Sequence, residues 1–424
     1  MAIIKEPSCD DPSEPLLLPV DEAKKRLAAL MPALVETDTV GTINAVNRVL
    51  AETVISPVNV PAATNSAMDG YAIRQQDIPA KGERALTLIG EAYAGRLYSK
   101  PLQAGEAVRV FTGAIMPQGS DTVVIQEHVS TDGTTVTIDS EVQAGRNVRH
   151  AGEDLSIGDT VLKAGRQLQA ADIGLLASLG IDSVLVTRQL RVAFFSTGDE
   201  VQALDKAAEE ALPDGMVYDS NRHTLRCLLQ ALGVNAIDFG IVRDNYEDTV
   251  QALKSASEQA DVIVTSGGIS AGDADYVTKA FHELGDVSFW KLAMRPGRPL
   301  ASGRIGEATF FGLPGNPVAV MVTFLAFVQP ALKLRMGMTK VEPLSVPAIS
   351  THAIKKSPGR TEYQRGVLSM NSDAVLQVEL TGKQGAGRLS SMSLANCLIV
   401  LPDSVSAVAA GDTVTVWPFD GLLP

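Results

Sequence analysis

The chain is poor in the residues that usually announce a metal centre or a disulfide framework. It has three cysteines, Cys9, Cys227 and Cys397, and five histidines in 424 residues. The cysteines are scattered and odd in number, which fits a reducing compartment better than a secreted fold. Positive charge is also scarce. The 36 Lys and Arg face 49 Asp and Glu, for a formal net charge of -13. That argues against nucleic acid or an anionic membrane as main partner, and an anionic ligand would need basic groups supplied locally. The N-terminal MAIIKEPSCDD shows no basic segment followed by an apolar core, so no signal peptide is expected. The longest apolar run, Val318 to Val328, is too short to span a bilayer, and a cytoplasmic location is expected. No catalytic triad is suggested, and there is no GxGxxG or P-loop after a strand, which weighs against ordinary dinucleotide or ATP-hydrolysing folds.

What remains is ordinary globular composition, 45% apolar and 20% charged. The length suits about three domains. Val20 to Leu34 carries apolar residues at helical spacing, and a second helical piece is expected around Ile43 to Ala51. SPVNVPAATNSAMDGYA, from Ser56 to Ala72, reads as an extended loop with Asp69-Gly70 as a turn. Residues 84–150 read as short strands, with Asp132-Gly133 as a hairpin signal. The loop 111–121 offers Thr112 and Asp121 as hydrogen-bonding groups, and Arg146, Arg149, His150, Glu153 and Asp154 follow as a charged cluster. From Arg188 strands and helices alternate, which predicts a doubly wound, mostly parallel sheet. Pro317 starts a long apolar helix to about Leu334, and from Val341 the pattern is again short strands, a small all-β domain.

The stretch Asp261 to Tyr276, DVIVTSGGISAGDADY, organises this region. A β-branched run leads into Ser266, Gly267, Gly268, Ser270 and Gly272, and Asp273 and Asp275 stand where a helix begins. Strand, glycine turn and helix N-terminus make an anion site. Four more loops follow strands of the same sheet: STGDE with Thr197, Gly198, Asp199 and Glu200; RDN with Asp244; RPGRP with Arg295 and Arg298; and LPGNP with Pro314, Gly315, Asn316 and Pro317. Ligands of such sheets lie beyond the carboxyl ends of the strands. Glu200, Asp244 and Asp275 suit Mg²⁺, and Lys291, Arg295 and Arg298 suit an oxyanion. Taken singly, each acid could instead cap a helix, Arg298 could pair with a surface carboxylate, and the prolines could shape a loop. Taken together, they point to metal-assisted phosphate chemistry.

In order along the chain, PAATNSAMDGYA, FTGAIMPQGSDTVV, AGEDLSIGDTVLKAGRQL, STGDE, VYDSN, RDN, SGGISAGDADY, KLAMRPGRPL and LPGNPVAVMVTF resemble the molybdopterin molybdenumtransferases, the family that includes the gephyrin E domain. The resemblance runs from about residue 15 to the C-terminus. It implies an α/β multidomain chain in four parts: a linker and dimerisation unit (15–60 with 155–187), a β-rich inserted unit (61–154), a molybdopterin-binding α/β unit (188–336) and a C-terminal barrel-like β unit (337–424). It further implies a homodimer that takes adenylylated molybdopterin and molybdate with Mg²⁺, releases AMP, and meets a molybdopterin adenylyltransferase transiently. Glu200, Asp244 and Asp275 fall on the family's acidic positions, and Lys291 and Arg295 on its basic pair. Asp69, Thr112 and Asp154 match functional positions that approach the partner's cleft, which replaces the turn reading of Asp69. Two departures stand out: RPGRP where KPGKP is frequent, and Asp273 where Glu is frequent. An adenylyltransferase using the same α/β unit, or a binding scaffold, are the competing functions.

Overall fold

A computed structural model describes residues 17–204, 212–268, 280–281 and 283–419. Ser270, Gly272, Asp273 and Asp275 lie outside the described residues. The first helix, Val20–Leu30, buries Ala23 and Leu27 and ends ahead of Pro32, whose ring disfavours helix in the residue before it. The helix expected at 43–51 is absent. A single 3-10 turn, Thr42–Asn44, gives way to irregular backbone in which Asn47 takes a positive φ of 64° and Val49 and Leu50 bridge to Gln167 and Val186. Strand Thr37–Gly41 pairs antiparallel with Ser183–Thr187 across the intervening sequence. Residues before and after the inserted unit therefore share one core, which includes Leu50, Leu162, Leu168, Leu176 and Val186.

The inserted unit is a six-stranded sheet in the order Thr122–Ile125, Gly70–Ile73, Glu106–Val110, Glu83–Ala92, Thr135–Asp139, Ser130–Thr131. It buries apolar side chains on both faces, Ala72, Val108 and Val110 on one and Tyr71, Ala107 and Val124 on the other. Asp132 makes the expected hairpin. Its Oδ1 accepts the backbone N–H groups of Thr134 and Thr135 at 2.9 and 2.7 Å, and these bonds hold its carboxyl down at about 2.

The α/β sheet runs Asn235–Val242, Arg191–Thr197, Val262–Ser266, Ala308–Leu313, Pro299–Ile305, Gly285–Lys291. The first four strands are parallel, and the last two add antiparallel partners. Strand Pro299–Ile305 is not foreseen in the sequence reading, because PLASGRI is rich in small residues and does not alternate. The apolar helix runs Pro317–Arg335, with a π turn at Phe324–Val328. Pro330 explains the turn, since it has no N–H to return to the carbonyl four residues earlier. The helix has the length and apolarity of a bilayer span, but 78% of its most apolar window is buried within the fold, as befits a core helix. The C-terminal strands Val346–Ser350, Leu376–Leu380, Thr361–Met370, Cys397–Leu401 and Thr413–Pro418 close on each other into a five-stranded barrel.

At the end of the sheet where the parallel strands begin, Asp261 ties three segments together. It binds Arg188 at 2.8 and 3.1 Å and Arg191 at 2.9 and 3.3 Å, and it accepts the Arg191 backbone N–H at 2.9 Å. Burial alone would raise its pKa, but the hydrogen bonds from Arg188 and Arg191 outweigh that and hold the carboxyl well below the usual range. Asp261→Ala leaves two partly buried guanidinium groups without their anion and should cost about 2–3 kcal/mol, less than a fully buried pair because Arg191 is half exposed. Denaturation midpoints check this. A depressed carboxyl contributes stability above its unfolded pKa and loses it as pH falls through its folded pKa. The gap between the parent protein and Asp261→Asn should therefore be complete above about pH 5 and shrink below about pH 4.

Candidate functional site

The parallel strands all end at one edge, at Thr197, Val242, Ser266 and Leu313. Two of the loops that follow touch backbone to backbone. Gly267 takes φ 89°, and a Cβ there would lie 2.5 Å from the carbonyl oxygen of Thr197. Only glycine satisfies both the conformation and the distance. Gly315 sits against the Cα of Gly267, so the loop after Leu313 joins the same cluster. Beyond these loops opens a cleft of about 1260 Å³. Its far wall is the barrel, through residues 357–360 and 384–387. The barrel is fixed there by the Val318 N–H, which donates to the Ala386 carbonyl at 3.0 Å, and by Gly387 beside the Asn316 side chain.

Thr197, Gly198, Glu200, Asp244, Ser266, Gly267, Gly268, Arg295, Arg298 and the whole Pro314–Pro317 turn line this cleft. Asp199 and Lys291 do not. Asp199 stands behind the rim, where its Oδ1 accepts the Asp244 backbone N–H at 3.1 Å. Lys291 is the last residue of its strand and is paired in register with Pro299. Burial raises the Asp244 pKa, and the nearby charges of Asp199 and Glu200 raise it further. Asp244 Oδ1 is buried without a hydrogen-bond partner among the described residues. Glu200 folds over Gly198, where a Cβ would lie 2.6 Å from Glu200 Oε2. A carboxylate destabilised by burial and by its acidic neighbours, with an unused oxygen, suits a cation. Among the described residues no three Asp, Glu, His or Cys side chains group closely enough to hold a metal ion, and the third expected ligand, Asp275, lies outside them.

The basic side of the cleft is built by two parts of the chain. Met294–Arg295 pairs in parallel with Thr361–Glu362 of the barrel, which fixes Arg295 where sheet and barrel meet. Behind it lies Arg365, which the sequence reading missed. It is 1% exposed, and its guanidinium donates to Ser391 Oγ and the Gly385 carbonyl, both neutral and both at 3.1 Å. Burial, and then the charge of Arg295, push its pKa down to about 10. A buried arginine beside another arginine, held only by neutral acceptors, favours an anion nearby.

Asn221 is likewise not singled out as a site residue in the sequence reading, where it only ends the VYDSN motif; it stands in the first turn of the helix Ser220–Ala231. The cap itself is Asp219, which accepts from Ser196 Oγ at 3.0 Å and the Arg222 N–H at 3.1 Å. Asn221 lies two residues further on and reaches into the cleft. No spacing rule marks it, because its partners come from loops 45 and 94 residues away.

Asp69, Thr112 and Asp154 belong to the inserted unit and do not line the cleft. Asp69 Oδ1 accepts both the N–H and the Oγ1–H of Thr112 at 2.8 Å, and these bonds lower its pKa. Both residues are exposed. The Asp154 N–H donates to the Val60 carbonyl at 3.0 Å.

Three sequence profiles match the chain in order. They describe the MoeA N-terminal region (domain I and II) over residues 18–180, a probable molybdopterin binding domain over 193–334, and the MoeA C-terminal region (domain IV) over 347–419. The chain is 40% identical over 409 residues to a molybdopterin molybdenumtransferase of Haemophilus influenzae, covering 96% of this chain and 100% of that protein. To one of Nostoc sp. it is 36% identical over 389 residues, covering 90% of this chain and 88% of that protein. The crystal structure of a molybdopterin biosynthesis moeA protein from Pyrococcus horikoshii OT3 superposes with a TM-score of 0.83 at 28% identity, over 95% of this chain and 100% of that one.

The glycine contact can be tested against a control. Gly133 has a similar φ of 90°, but a Cβ there would meet nothing within 4 Å. Gly133→Ala should cost about 1 kcal/mol, and Gly267→Ala clearly more, about 2–4 kcal/mol, because it also forces two loops apart. Thermal unfolding of the two variants makes the comparison.

Proposed function

The chain belongs to the molybdopterin molybdenumtransferase family, and on that premise we propose that it inserts molybdate into adenylylated molybdopterin and releases AMP. The observation that carries the reading is a set of buried polar atoms at one sheet edge that find no partner among the described residues: Thr197 Oγ1, Asn221 Oδ1 and Asp244 Oδ1. Buried polar atoms are normally satisfied, so a group of orphans lining one cleft marks a ligand site. Acids stand on one rim and arginines on the other, as a substrate with a phosphoanhydride and an oxyanion requires.

The loops at Thr197, Ser266–Gly268 and Pro314–Pro317 hold the phosphate groups, with Gly198 shaping the turn. Glu200 and Asp244, with Asp275 from the same sheet edge by sequence, would hold Mg²⁺, which would neutralise charge on the phosphates. Arg295 and Arg298 receive molybdate and the pterin phosphate, with the buried charge of Arg365 behind them, and this fixed positive charge favours the P–O bond cleavage that frees AMP. Lys291 backs this basic set from its strand end. The working form is a homodimer in which Asp69, Thr112 and Asp154 of one subunit complete the cleft of the other, in the cytoplasm, with transient hand-over from a molybdopterin adenylyltransferase. Full-length relatives of this name support the transferase over an adenylyltransferase that would use the α/β unit alone, and over a scaffold, which would have no use for intact acidic and basic rims.

Purified protein should release AMP from adenylylated molybdopterin only when molybdate and Mg²⁺ are added, and chromatographic detection of AMP decides it. No AMP from active substrate would overturn the proposal. Glu200→Ala and Arg298→Ala should each slow release by about 100-fold or more. Mixed dimers of Asp69→Asn and Glu200→Ala chains should regain activity that neither variant has alone, because one of their two composite sites is intact. No recovery on mixing would show that Asp69 does not complete the partner's cleft.

A further inference from the structure

Asn221 joins two of the cleft's loops. Its Nδ2 donates to Ser266 Oγ at 2.8 Å and to the Gly315 carbonyl at 2.7 Å. The direction of these bonds is settled by chemistry. A carbonyl only accepts, so the atom facing Gly315 must be the amide nitrogen. Ser266 Oγ gives its own proton to the Pro314 carbonyl at 3.4 Å, so it too must accept from Asn221. Both Nδ2 hydrogens are therefore used within the protein. Oδ1 is left buried, unpartnered and part of a residue that lines the cleft.

This has a consequence for the ligand. Phosphate oxygens only accept, and they gain nothing from a carbonyl oxygen. Resting on the function proposed above, we infer that Asn221 Oδ1 accepts a hydrogen bond from a ribose hydroxyl of the nucleotide half of the substrate, while Nδ2 sets the gap between the Ser266–Gly268 and Pro314–Asn316 loops. The ribose is chosen over the pterin for a reason of connectivity. If these loops hold the phosphates, the donor must lie close to phosphorus. The ribose places its 3′-hydroxyl on the carbon two atoms from the phosphate-bearing oxygen's methylene, and its 2′-hydroxyl on the next carbon. On the pterin side the carbon next to the phosphate-bearing methylene carries its oxygen as the ether of the closed pyran ring, which has no proton to donate. Asn221 is then both a positioning residue for the glycine loops and a specificity residue for ribonucleotide over deoxyribonucleotide.

The test is a cycle of ligand deletion against side-chain deletion, read by calorimetry with Mg²⁺ present. AMP, 2′-deoxy-AMP and 3′-deoxy-AMP are titrated into the parent protein and into Asn221→Ala. One deoxy analogue should bind the parent about 10-fold more weakly than AMP, and the same analogue and AMP should bind Asn221→Ala alike. A purely structural role for Asn221 would weaken all three ligands by one factor and leave their ratios untouched, and that outcome overturns the inference. The arm with the parent protein needs no variant: equal affinity for all three ligands there also overturns it. The underlying reading fails separately, through absence of AMP release from adenylylated molybdopterin by the parent protein. If release is seen and the deoxy analogues are not discriminated, only the role of Asn221 is lost.

Discussion

The site depends on one close approach, that of Gly267 to the carbonyl of Thr197. Two strands that are neighbours in a parallel sheet end side by side, about 4.8 Å apart, and ordinary side chains in the loops beyond would splay them. Glycine at φ 89° removes the side chain from the contact and lets the loops converge. The loop after Leu313 closes on the same point through Gly315, and Asn221 ties it to Ser266. The loops after Thr197, Ser266 and Leu313 meet at this contact.

The opposite wall comes from elsewhere in the chain. The barrel supplies residues 357–360 and 384–387, and it is docked by backbone pairing at Met294–Arg295 and by the Ala386 carbonyl on the first turn of the buried helix. This docking fixes the charge pattern. Arg295 and Arg365 end up together although they are far apart in sequence, and neutral acceptors hold Arg365 in place without cancelling its charge. On the other rim, burial and the nearby charges of Asp199 and Glu200 raise the cost of ionising Asp244. A protein with a net charge of -13 thus keeps a small basic surface inside an acidic body. Its location in a cleft is what makes it effective, because charge-assisted bonds gain strength as water is excluded.

Local signals read well along the sequence. The Asp132-Gly133 hairpin, the alternation of strands and helices after Arg188, and the closed β unit at the C-terminus all follow from short-range patterns that the structure reproduces. The failures share a cause. Residues 43–51 have helical spacing, but Asn47 turns into the left-handed region and tertiary bridges to Gln167 and Val186 claim the backbone instead. Strand Pro299–Ile305 has weak intrinsic signals and exists because its neighbours on both sides offer unpaired edges.

By itself the sequence determined the chemistry on offer: glycine loops after strands, acids and arginines in those loops, and an order of motifs specific enough to name a family. Residue types and short spacings are local properties, so they are legible in one dimension. Only the tertiary structure decided which of these groups share a cleft. It placed Arg298 and Arg295 on the wall, left Asp199 off it, buried Arg365 behind Arg295, and turned Asn221, until then only the end of the VYDSN motif, into the cleft. The reason is that their partners lie in different domains or tens of residues away. Burial and unpaired hydrogen-bonding atoms, the features that mark such residues, exist only once the chain has folded.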